Sequence, residues 1–145
     1  MSRTFLLVDA HNVIFARPDL ADLHRRGPAA AREALIRLLE RHQDAAGVRV
    51  VAVFDGGAKG RGAGELSAPA GIQIFYTQSA DSIIERLAVK YAAKHRIVVA
   101  TNDTLVRTAA EAAGATTLDV DTLFGEIERV ANELESAIRK LRPRR

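Results

Sequence analysis

Short apolar runs and amphipathic stretches alternate along the chain, the pattern left by βαβ units when helices cover a mostly parallel sheet. Runs at residues 5–8, 48–54, 72–76 and 97–100, and a weaker one at 116–118, are rich in β-branched residues and read as strands. Between the first two, Leu35, Leu38, Leu39 and His42 share a helical face over 29–46, with Pro28 suited to a first turn and Gly47 to a stop. Residues 80–94 place Ile84, Leu87, Ala88 and Tyr91 on one stripe, and Val106, Ala109, Ala110 and Ala113 do the same ahead of Gly114. The last helix, 122–141, carries Leu123, Ile127, Val130, Leu134, Ile138 and Leu141 at alternating steps of four and three. That seam suits the sheet or a partner helix, and the sheet is expected because its faces need cover. Two segments lack periodicity: a charged connector at 16–27 containing Pro18, and a loop at 56–71 with six glycines, Lys59 and Arg61. The loop is either a permissive linker or a mobile cationic flap over a bound strand.

With 145 residues, 48% hydrophobic and 27% charged, the chain is expected to form a single α/β domain over 1–145. The absence of cysteine excludes disulfides and thiolate metal sites and suits a reducing compartment, hence the cytoplasm. The apolar run before Asp9 is too short for a signal-peptide core or a membrane span. A net charge of +3 says little by itself, but five of the last seven residues are Arg139, Lys140, Arg142, Arg144 and Arg145. This tail, 139–145, suits a phosphate backbone, or equally a solvated helix end whose cations complement the helix dipole.

In an open parallel sheet, ligands bind outside the carboxyl ends of the strands. Asp9 follows the first strand, Asp55 the second and Asp103 the fourth, while Asp81 starts the helix after the third, with Glu85 one turn on. Taken singly, Asp81 and Asp103 read as helix caps. Taken together, carboxylates about 5 Å apart repel by roughly 3 kcal/mol per pair at an effective dielectric of 20. No Lys or Arg stands in these motifs to offset that, so a hard cation is the simplest answer, and oxygen ligands favour Mg²⁺ or Mn²⁺, as one or two ions. His11 reads as a neighbour of the site and not a ligand. Asn12 suits orienting a water or the Asp9 carboxylate, or a plain turn. Thr101 and Asn102 suit a polar strand-to-helix turn, and Thr101 equally a contact to a substrate phosphate.

The stretch Leu6-Leu-Val-Asp9-Ala-His-Asn12-Val-Ile14, then Val53-Phe-Asp55, Ala80-Asp81-Ser-Ile-Ile-Glu85 and Ala100-Thr-Asn-Asp103, resembles in order and spacing the YacP-like ribonucleases of the NYN family, relatives of the PIN nucleases. The likeness runs from about residue 4 to about residue 135. It departs where the family commonly has Gly-Tyr and this chain has Ala10-His11, and where Ser is common and Asn102 stands. The resemblance implies a PIN-like three-layer α/β/α sandwich that binds Mg²⁺ or Mn²⁺ and cuts RNA, some members acting on mRNA at the ribosome. It implies Asp9, Asp81 and Asp103 as metal ligands, with Asn12, Asp55 and Glu85 as supporting or additional ones.

The expectation is therefore an endoribonuclease that hydrolyses phosphodiesters with a metal-activated water, leaving 5′-phosphate and 3′-hydroxyl ends, since no histidine pair is evident for attack by the ribose 2′-hydroxyl. Lys59, Arg61 and the tail would grip the RNA backbone. A receiver-type phosphoryl-transfer domain would need a lysine after the fifth strand, and 115–121 contains none. A haloacid-dehalogenase-like phosphatase would need an Asp where His11 stands. A non-catalytic RNA- or ribosome-binding module on the same fold remains the alternative.

Overall fold

The computed structural model describes residues 2–56, 66 and 70–142. The elements follow in the order β1 (Thr4–Asp9), α1 (Ala10–Ala16), α2 (Pro18–Arg26), α3 (Pro28–Ala46), β2 (Arg49–Asp55), β3 (Gln73–Thr77), α4 (Ala80–Tyr91), β4 (Arg96–Ala100), α5 (Thr104–Ala112), β5 (Thr116–Leu118) and α6 (Val120–Leu141). The strands form one five-stranded sheet, β3-β2-β1-β4-β5, parallel throughout. Order reverses between β1 and β4: the crossover from β1 to β2 and the crossover from β3 to β4 pack on opposite faces of the sheet and open a crevice at the carboxyl ends of β1 and β4.

Alternate residues of the central strands face opposite layers. Leu6, Val8, Val50, Ala52 and Phe54 pack with Val13, Ile14, Leu20, Leu35 and Leu39 of α1–α3 and with Val120 and Leu123 of α6. Phe5, Leu7, Val51, Val53, Phe75, Ile97 and Val99 pack with Ile84, Leu87 and Ala88 of α4 and Val106 and Ala110 of α5. The result is the expected α/β/α sandwich. Buried Gln43 fixes α3 to the sheet: its Oε1 accepts from Val50 N–H (2.8 Å) and its Nε2 donates to the Gly71 carbonyl (3.1 Å). Gly47 closes α3 in the left-handed conformation (φ 73°), where a side chain would be strained.

The segment read as a charged connector, 16–27, is instead mostly helix. Pro18 opens α2 at its first turn, Leu20 and Leu23 face the core, and Asp19 at the start with His24, Arg25 and Arg26 at the end match the helix dipole. Asp22 pairs with Arg25 and Arg26 along the exposed side (3.0 and 2.6 Å). The seam of α6 divides: Leu123, Ile127 and Val130 pack on the body, whereas Leu134, Ile138 and Leu141 stay exposed. Most of the glycine-rich loop, Lys59 and Arg61 included, lies outside the described residues, as do Arg144 and Arg145. Among the described residues no helix is long and apolar enough to cross a membrane.

Candidate metal centre

Asp9, His11, Asn12, Phe15, Asp55, Asp81 and Asp103 line one open cleft of about 300 Å³ at the carboxyl edge of the sheet. Four predicted acids and Asn12 therefore converge. Glu85, exposed one turn further along α4, is not among the lining groups.

Asp9 ends β1 at the strand-order reversal and is the buried member, 7% exposed. Its Oδ2 accepts from the Thr101 hydroxyl at 2.8 Å. Burial pushes its carboxyl up to about 6, and the neighbouring charges of Asp55, Asp103 and Asp81 push in the same direction against the Thr101 hydrogen bond. Thr101 itself is fully buried, and its Oγ1 also accepts from Asp103 N–H at 3.0 Å. It is thus a strut beneath the site, and burial excludes the phosphate contact considered from sequence.

The other acids are held by their local backbone. Asp103 caps α5, its Oδ1 accepting from the N–H groups of Leu105 (2.9 Å) and Val106 (3.3 Å). Asp55, at the end of β2, accepts from Ala80 N–H at 2.8 Å and so ties the start of α4 to the sheet. Asp81 is not the cap of α4, a role Ser79 takes; Asp81 sits in the first turn, and donation from Ser79 Oγ (2.6 Å) and Ser82 N–H (3.0 Å) holds its carboxyl below the usual range. Asn12 lies on α1, not in a turn. Its Oδ1 accepts from Asn102 N–H (2.7 Å), while Asn102 Oδ1 accepts from Val120 N–H (2.8 Å) at the start of α6. Since that carbonyl oxygen is engaged, Asn12 offers the cleft its amide N–H donors.

The cleft's chemistry fits a hard cation in kind: four carboxylates against a single imidazole, that of His11, one carboxylate buried, and neither Lys nor Arg among the described lining residues. It is not a closed cage. Among the described residues no three acidic or imidazole groups stand close enough to clasp an ion together. Such a site suits Mg²⁺ or Mn²⁺ held by one or two carboxylates and otherwise by water and substrate oxygens, the usual state of Mg²⁺ in phosphate chemistry.

The described part of the cationic tail, expected to grip an RNA backbone, stands apart from the cleft. The start of α6 adjoins the cleft through Asn102, and its 22 residues run away from it. At 1.5 Å per residue, Arg139, Lys140 and Arg142 lie about 30 Å from that start. Phe15 and His24 carry no reading from sequence, and His11 is read there only as a neighbour of the site. His11 and Phe15, four apart on α1, form one side of the cleft; His24 of α2 meets both rings, with centroids 6.3 and 4.9 Å away. Two imidazoles therefore do approach one another, although only His11 lines the cleft. Arg32 of α3 is near enough to act on the His11 imidazole, which burial and that charge lower while Asp55 raises it. The i, i+4 spacing of His11 and Phe15 around inward-facing Val13 and Ile14 was the available signal.

Comparison with known proteins places this geometry in a family. The YacP-like NYN domain matches residues 6–145. The uncharacterized protein YacP of Bacillus subtilis (strain 168) is 31% identical over 140 residues, covering 94% of this chain and 82% of that protein. Two crystal structures of Rae1 (YacP) from Bacillus subtilis superimpose on it. The W164L mutant does so with a TM-score of 0.79 and 30% identity over 97% of this chain and 84% of the other. The second gives 0.74 and 31% over 94% and 80%.

Proposed function

The chain belongs to the YacP-like NYN domain family, and from that premise we propose that it is a divalent-metal-dependent endoribonuclease that hydrolyses RNA phosphodiesters. The observation that carries this reading is Asp9: a buried carboxyl raised to about 6, facing Asp55, Asp81 and Asp103 across one open cleft. Such a cluster disfavours its own ionisation until positive charge arrives.

One or two carboxylates from among Asp9, Asp81 and Asp103 would hold Mg²⁺ or Mn²⁺, water and substrate oxygens supplying the other ligands, with Asp55 lining the same cleft. When bound, the cation supplies Lewis acidity and positive charge at the scissile phosphate. The chain's own residues prepare the ground. The Thr101 hydroxyl fixes the Asp9 carboxylate and, through Asp103 N–H, the start of α5. Asn12, anchored on Asn102, keeps its amide donors available for a phosphate oxygen or the attacking water. Asp55 sets the distance between β2 and α4, and hence the position of Asp81.

The test is cleavage of end-labelled RNA by the wild type, Asp9→Asn and Asp81→Asn, with Mn²⁺ or with chelator. Cutting by the wild type in Mn²⁺ alone, leaving 5′-phosphate and 3′-hydroxyl ends, is expected. A 2′,3′-cyclic phosphate formed in chelator would assign the reaction to the His11 and His24 imidazoles instead. RNA binding without cutting under every condition would identify a non-catalytic module.

A further inference from the structure

Phe15 is 59% exposed yet lines the acidic cleft, an unusual place to leave a large apolar ring. It is firmly backed. Its ring stacks on His11 (centroids 6.0 Å apart, planes at 29°) and takes His24 edge-on (4.9 Å, 84°). His11 in turn meets buried Phe54 edge-on at 5.8 Å, and Phe54 stacks on Tyr76 at 5.5 Å. The row of rings runs from the hydrophobic core to the wall of the cleft. Phe15 has only two side-chain torsions, and its neighbours already restrict them, so covering its open face demands little further ordering.

We propose that Phe15 is a nucleobase-stacking subsite: one unpaired base next to the scissile phosphate lies on its ring, so that cut-site choice follows the base at that position, purines above pyrimidines. This rests on the nuclease reading of the cleft. The occupant follows from adjacency. A chain whose phosphate is drawn to a cation among Asp9, Asp81 and Asp103 brings a flat π-face within reach of the same wall. A flat base covers the open ring face to face and gains stacking beyond the area it buries, and each base has such a face.

The experiment walks a single abasic residue through a short single-stranded RNA, with the full chain as wild type, Phe15→Ala, Phe15→Leu and Phe15→Trp. Cleavage is read in Mn²⁺ and binding by fluorescence anisotropy in Ca²⁺. At one position the missing base should cost the wild type about 5- to 150-fold, the range of a single base–aromatic stack. Phe15→Ala should lose a similar factor on intact RNA and become indifferent to the abasic residue, Phe15→Leu should behave like Phe15→Ala, and Phe15→Trp should retain the wild-type pattern. Unchanged thermal melting of each variant confirms the fold, as an exposed ring predicts. Equal abasic penalties in wild type and Phe15→Ala, or Phe15→Leu matching Phe15→Trp, overturns the subsite and leaves the nuclease intact. Binding without cutting removes the nuclease reading, and the same comparisons made on binding then decide the subsite. Neither binding nor cutting removes both.

Discussion

Replacing Asp9 by Asn should stabilise the protein in chelator while abolishing its chemistry. The side chain is 7% exposed and its carboxyl is raised from 3.8 to about 6. Between those two values the folded state holds a proton that the unfolded state has released. Stability therefore falls as pH rises through that window and stays lower above it. The difference of about 2 pH units corresponds to about 3 kcal/mol at pH 7 to 8. Asparagine is neutral at every pH, nearly isosteric, and able to accept the Thr101 hydrogen bond through its carbonyl oxygen. Urea denaturation of both proteins in chelator should thus show Asp9→Asn more stable by up to about 3 kcal/mol at pH 8, roughly 6–12 °C in Tm, with the advantage shrinking toward zero by pH 4. Mn²⁺ should reverse the ranking, because an ion that binds the native wild type stabilises it by mass action. The reasoning fails if Asp9→Asn is no more stable than wild type at pH 8, or if its advantage does not change between pH 4 and pH 8.

Thr101→Val keeps the shape but removes the hydroxyl shared by Asp9 Oδ2 and Asp103 N–H, and should cost about 1–3 kcal/mol in denaturant while moving the acid limb of the cleavage profile to higher pH. Neutralising Arg139, Lys140 and Arg142 together should leave cleavage of an oligonucleotide too short to span α6 within about twofold, since screened charges about 30 Å away act weakly, whereas longer RNA should lose salt-sensitive affinity; equal losses on short and long RNA would place the tail at the cleft.

The sheet was legible because the central strands β1, β2 and β4 are apolar runs bounded by a turn or an acid, while β5, Thr-Thr-Leu, gave only a weak signal; the convergence of Asp9, Asp55, Asp81 and Asp103 followed from parallel topology. The two helices after β1 were not. α1 is seven residues long and turns only Ala10, Val13 and Ile14 inward, too short for periodicity to register, and Pro18 reads as a breaker unless it is recognised at the first turn of α2. For the same reason nothing in the sequence joined His11 and Phe15 to His24, which fell in the segment read as a connector, although the two helices bring their rings together. Charge density marked the tail for nucleic acid, but it carries no information about which end of a long helix meets the cleft. Asn12 and Asn102 were visible as polar positions, and only their hydrogen bonds across the chain assign them to bracing.

Those braces also govern when the cleft can come into being. Thr101 reaches Asp9 across 92 residues of sequence, Asn102 reaches Asn12 across 90, and Asn102 is itself secured by Val120. Contacts of such separation form late, after the intervening loops have closed. During synthesis, chain emerging from the ribosome can complete the first half of the sheet and still lack the residues that pin Asp9 and Asn12. The acidic rim is consequently braced only once the chain has been made through Val120, and a shorter nascent chain holds Asp9 and Asn12 without their partners.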